Sequence, residues 1–152
     1  MPEVSEQVDI DAPPEQVWGA LTDWTRQGEW ILATDVRPVV GPARGVGGRL
    51  VAITGLPVGG RRLGVVDTME ITRWEPPTRC DVLHTGRVVR GPGGFEIRPR
   101  GSGSTFTWSE RIDLPLGALG RLGWPVAEPL IRAGYRRSLR RFAEFAGNYR
   151  LE

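Results

Sequence analysis

Glu110 is the ionisable side chain with the most unusual company. In the segment Ser104–Leu114, Phe106, Trp108, Glu110, Ile112 and Leu114 alternate with Thr105, Thr107, Ser109, Arg111 and Asp113. On a strand the glutamate therefore shares a face with aromatic and aliphatic residues. A carboxylate in that setting must be hydrogen-bonded, paired or shifted in pKa, which are also the properties of a binding or acid-base group. The alternative is a glutamate at a sheet edge that meets solvent or pairs with an arginine for structural reasons. His84, the single histidine, falls on one face with Cys80 and Val82 and can look into the same interior, although a lone histidine is commonly structural. Asp67, Met69, Ile71 and Arg73 share a further face, so Asp67 and Arg73 become pocket residues if that face turns inward and solvated strand ends if it does not. There is no second histidine and no cysteine pair, so no metal site is predicted, and no cofactor is expected. Gly41–Gly48 (GPARGVGG) neither joins a strand to a helix nor carries a lysine, and it reads as a tight hairpin rather than a phosphate loop.

These residues need elements to hold them. Val8 and Ile10 alternate with Gln7, Asp9 and Asp11 as a half-buried strand. Asp11 then reads as a helix cap, with Pro13 and Pro14 in a first turn that needs no amide donor, and Glu15 at the positive end of the helix dipole. Val17, Leu21 and Trp24 form one apolar stripe on a helix of about ten residues. Short β-like runs follow over Thr34–Val40, Val46–Thr54, Leu63–Trp74, Arg79–Thr85, Arg87–Arg90 extending toward Phe95–Arg98, and Ser104–Leu114. They are separated by GPARG, LPVGG, EPPTR, GPGG and RGSGS, which are turn chemistry. Without strand–helix–strand alternation, the pattern predicts an antiparallel meander, an α+β chain rather than a doubly wound one. The period then changes. Val126, Leu130, Ile131, Tyr135, Leu139 and Phe142 fall at helical spacing in one long C-terminal helix, Arg121–Asn148, with Pro125 and Pro129 near its start or at a bend.

Composition narrows the class. The 152 residues fit a single domain spanning 1–152, large enough for a real core. All 20 basic residues are arginine and the net charge is only +2, which speaks against a dedicated nucleic-acid binder. Arg132, Arg136, Arg137, Arg140 and Arg141 on the last helix read as a solvated face or as a docking surface for an acidic partner. One cysteine excludes an internal disulfide, and there is neither a leader-like start nor a membrane-length apolar run. A cytoplasmic protein that does not insert into membranes is expected. The six tryptophans suit either a packed core or the lining of an apolar cavity.

Three features together carry a resemblance: VDIDAPPEQVWGALTD followed by GEW near the start, ITRWEPPTRCDV in the middle, and the amphipathic C-terminal helix. With this order of elements the whole chain is similar to the START-like or SRPBCC superfamily, which includes polyketide cyclase/dehydrase-like and lipid-transport proteins. The resemblance implies a helix-grip fold, a curved antiparallel sheet around a long C-terminal helix, with short N-terminal helices. It also implies a cavity between the concave face and the helix Arg121–Asn148. Relatives in that superfamily include aromatase/cyclases, binders of hormones, lipids or sterols, and a few small bacterial toxins.

The leading expectation is a binding protein for a small, largely hydrophobic ligand. Its walls would be Met69, Ile71, Phe95, Phe106 and Trp108 from the sheet and Ile131, Tyr135 and Leu139 from the helix, with His84 and Glu110 for polar recognition. A second reading is a cyclase or dehydratase in which Glu110 or His84 is the general acid or base. A third is an interaction module, of toxin–antitoxin type, acting through the arginine-rich helix.

Overall fold

In the computed structural model, which describes residues 2–111, 113 and 117–151, seven strands form one curved antiparallel sheet. They are β1 (Glu3–Ile10), β2 (Thr34–Val40), β3 (Arg49–Val58), β4 (Arg61–Glu75), β5 (Arg79–Thr85), β6 (Arg90–Arg100) and β7 (Gly103–Arg111). Their spatial order is β1-β7-β6-β5-β4-β3-β2, so β2 to β7 make the expected meander and β1 adds itself beside the last strand. Between β1 and β2 lie α1 (Pro14–Leu21) and a 3-10 helix (Trp24–Glu29), and α2 (Ala118–Gly147) closes the chain. Ile112 and Leu114, assigned above to the inward face of the last strand, lie outside the described residues.

The core fills the concave side. Ile10, Leu50, Ala52, Val82, Ile97 and Phe106 point inward from five strands and are buried. Leu139, Phe142 and Ala146 of α2 come down onto them, and the Phe142 ring sits 4.6 Å from Phe106 and 4.5 Å from Trp30. Val17, Leu21 and Trp24 are all buried, so the predicted stripe exists. Its helix is shorter than expected, and Trp24 belongs to the 3-10 turn that follows.

Several boundaries differ from the pattern reading. Asp11 is not the cap: the N-cap of α1 is Pro13, and no side chain hydrogen-bonds the first turn. Leu56, Pro57 and Val58, read as part of a turn, extend β3, and the β3–β4 turn contracts to Gly59 and Gly60 with φ of +57° and +80°. GPGG (Gly91–Gly94) is not a turn but the first half of β6, while Arg87 precedes the strand. Pro125 and Pro129 lie inside α2, in its first half.

Candidate functional site

On the concave face, β4, β5 and β7 each contribute one ionisable side chain to a single row. Asp67 lies two residues from Met69, which pairs with His84 of β5. His84 pairs with Gly91 of β6, and the next inward residue of β6, Gly93, pairs with Glu110 of β7. His84 and Glu110 are separated by β6, so their backbones stand two strand spacings apart, roughly 9–10 Å. A side chain on β6 would block the way. Gly93 leaves a slot, and the Glu110 carboxylate occupies it: a Cβ at position 93 would collide with Glu110 Oε2.

The resulting geometry is continuous. His84 Nδ1 lies 2.8 Å from Asp67 Oδ1 and His84 Nε2 lies 2.7 Å from Glu110 Oε2. Trp108 Nε1 donates to the other Glu110 oxygen, Oε1, at 3.0 Å. His84 and Glu110 are only 7% and 6% exposed, while the Asp67 side chain retains 16%. Burial opposes the charge on His84, but its hydrogen bonds to Asp67 and Glu110, with their charges, outweigh it and hold the ring near pKa 10. The ring is therefore an imidazolium at neutral pH, donating from both nitrogens. Two carboxylates against one imidazolium leave a negative charge in excess at the floor of the concave face.

Tyr135 of α2 roofs the row. Its ring stacks on Trp108 with centroids 4.1 Å apart and an interplanar angle of 9°. Burial, with the charges of Glu110 and Asp67, pushes its phenol well above the ordinary value, so the hydroxyl stays protonated. Cys80, further along the inward face of β5, is buried and its thiol is pushed up to about 12, which makes it an inert core residue.

The residues singled out by sequence largely meet on this face. Ile71, Phe106 and Leu139 are fully buried core; Phe95 and Trp108 are buried beside them, with ring centroids 5.9 Å apart. Met69 and Tyr135 are partly buried against the same cluster. Ile131 is half-buried on α2, one turn before Tyr135. Glu110 is neither at a solvated edge nor paired with an arginine. Of the two conditional residues, Asp67 joins the row and Arg73 does not. A bulge between Ile71 and Arg73 shifts the alternation, so Trp74 packs inward, 4.9 Å from Trp18, and Arg73 turns out to pair with Glu75 at 3.0 Å. The residue missed by sequence reasoning is Gly93, and the signal for it was a glycine-rich run that need not be a turn.

Beyond this packed region the same face continues without cover. Val65 pairs with Thr54 and Leu63 with Leu56 toward the β3–β4 tip, and Leu56 is 75% exposed. On α2, Leu119, Leu122, Val126 and Leu130 are likewise exposed, before the helix reaches the core at Ser138 and Leu139. Other features are peripheral. Arg132 bonds Glu128 at 2.9 Å and reaches Glu6 of β1, as does Arg136 at 3.2 Å, so two arginines of the basic helix tie it to the sheet. A polar concavity of about 700 Å³ lies between Arg26, Arg141, Glu144 and Tyr149. Among the described residues no group of histidine, cysteine and carboxylates is arranged to hold a metal, and no helix is long and apolar enough to cross a membrane.

Comparison with known proteins agrees with this architecture. The family model described as polyketide cyclase / dehydrase and lipid transport matches residues 1–146. An uncharacterised protein of Mycobacterium tuberculosis is 27% identical over 152 residues, covering 97% of this chain and 100% of the relative. A second M. tuberculosis protein, named a toxin, is 29% identical over 160 residues with the same coverage of 97% and 100%. Among solved structures, a Thermus thermophilus protein superposes with a TM-score of 0.77 at 20% identity, over 95% of this chain and 97% of the other. A Chromobacterium violaceum protein does so with a TM-score of 0.69 at 15% identity, over 95% and 96%. These structures share the helix-grip fold.

Proposed function

Because the chain belongs to the polyketide cyclase / dehydrase and lipid transport family, we propose that it binds a small, largely apolar molecule between the concave face of the sheet and α2. The observation that carries this reading is a change of filling along one face. Near Phe142 the interior is closed by interlocking aromatic rings. At Asp67, His84 and Glu110 the packing gives way to a buried ionic row, and past it Val65, Leu63 and Leu56 stand uncovered. A sheet that leaves inward-facing leucines open gains roughly 25 cal/mol for each Å² of them that a ligand covers. Trp108, Tyr135, Met69 and Ile131 would form the inner walls, and the row would supply polar recognition.

Acid-base turnover is less well supported by the same geometry. A general base needs a free lone pair near neutral pH. Both nitrogens of His84 are engaged, its pKa is near 10, and both oxygens of Glu110 already accept hydrogen bonds.

Native mass spectrometry of gently purified protein tests the proposal, followed by extraction and identification of what is bound. A co-purifying apolar molecule that is lost in Leu63→Arg is the expected result. If the wild-type protein runs at its apo mass and also fails to take up any apolar compound from a metabolite library, the reading is wrong.

A further inference from the structure

The ionic row has spent its donors and kept its acceptors. His84 donates to both carboxylates and the Trp108 indole donates to Glu110. Asp67 Oδ2 has no partner among the described residues, although Asp67 Oδ1 is held by the histidine and the side chain is only 16% exposed. The protonated Tyr135 hydroxyl above the row makes no hydrogen bond among the described residues, so it can accept from the same ligand donor or donate to a ligand hydroxyl oxygen. Resting on the ligand-binding reading above, we infer that the bound molecule meets this row with a hydrogen-bond donor, an ammonium or a hydroxyl group, and that apolar molecules ending in a carboxylate or phosphate are rejected.

Three arguments support this selectivity. An unpaired carboxylate oxygen in a partly dried site gains from a donor and repels an acceptor. The negative charge in excess on the row favours a cation and penalises a second anion, more strongly where water is excluded. No compensating cation is close on the strand: Arg61 shares the inward face of β4 with Asp67, but Val65 and Leu63 lie between, and six residues of strand span roughly 20 Å. The apolar part of the ligand then has an obvious bed in Val65, Leu63 and Leu56, which continue the face from Asp67 toward the β3–β4 tip. The arrangement fits an elongated molecule with its donor end at Asp67 and its tail along the hairpin.

The test compares three probes that share one tail: dodecylammonium, dodecanol and dodecanoate. Dodecylammonium and dodecanoate are titrated below their micelle concentrations and dodecanol below its solubility limit, all at fixed ionic strength, with tryptophan fluorescence as the readout. The ammonium and the alcohol are expected to bind saturably and at least roughly tenfold more tightly than dodecanoate, the ratio set by about 1.4 kcal/mol of discrimination. In Asp67→Asn, which keeps the shape and removes the charge, the ammonium-to-dodecanoate ratio is expected to fall toward one. Dodecanoate binding as tightly as the ammonium, or an unchanged ratio in Asp67→Asn, overturns the inference and leaves the ligand-binding reading standing. Saturable binding by none of the three overturns both.

Discussion

At the scale of single residues, His84 makes the row pH-sensitive in a direction that can be worked out. Its folded pKa, about 10, lies above the ordinary 6.5. Stabilisation from its charge is therefore complete below pH 6.5 and is lost as the pH rises through 10. The urea midpoint of the wild-type protein should fall between pH 7 and 10, and His84→Gln should flatten that slope; parallel profiles would contradict the assignment. Gly93 supplies a second expectation. Gly93→Ala places a methyl group on the Glu110 carboxylate, so the carboxylate must leave the slot and the imidazolium loses a partner. The cost should be about 2 kcal/mol of stability, and NMR should show the His84 titration moving to lower pH. An unmoved titration would mean that Glu110 reaches His84 by another route. The legibility of these residues was uneven for physical reasons. Alternation alone put Glu110 and His84 on inward faces, because period two is a property of any strand. It could not join them, since a contact across an intervening strand depends on what that strand lacks. The direction of Arg73 stays open in the sequence for the converse reason: one bulge reverses alternation without any mark in the side-chain pattern.

At the scale of elements, α2 is two helices in energetic terms. Its second half carries Leu139, Phe142 and Ala146 into the core, while Leu119, Leu122, Val126 and Leu130 in the first half face solvent. That half also holds Pro125 and Pro129, each of which removes an amide donor from the helical ladder. Amides at 119–130 should exchange with deuterium at least roughly tenfold faster than those at 138–146, because local opening exposes little that is not already exposed. Equal protection of the two halves would show that something covers the first. The 3.6-residue period made the helix easy to find, but it could not separate residues buried against protein from residues that are merely apolar. Likewise, LPVGG looked like a turn because leucine and valine next to glycines carry no sign of how far a hairpin projects. The Arg132 and Arg136 bonds to Glu6 were hidden too, since they join segments far apart in the chain.

At the scale of the whole molecule, the antiparallel sheet and the closing helix were readable because turn residues and a change of period survive as local signals. The position of β1 was not readable, since nothing in its own residues says which strand it will join. That placement also bears on how the protein is made. Glu3 pairs with Arg111 and Ile10 with Ser104, so β1, made before β2 to β7, waits for β7 before it finds its hydrogen bonds. Pairing at that sequence distance raises contact order and slows folding. During synthesis Trp18 and Trp24 can settle on Trp74 once β4 is made, but Trp30, whose ring packs against Trp108 of β7 and Phe142 of α2, has no partner until the end of the chain emerges. The nascent chain is therefore a natural client for chaperones, and rare codons placed before β7 would lengthen its exposure most.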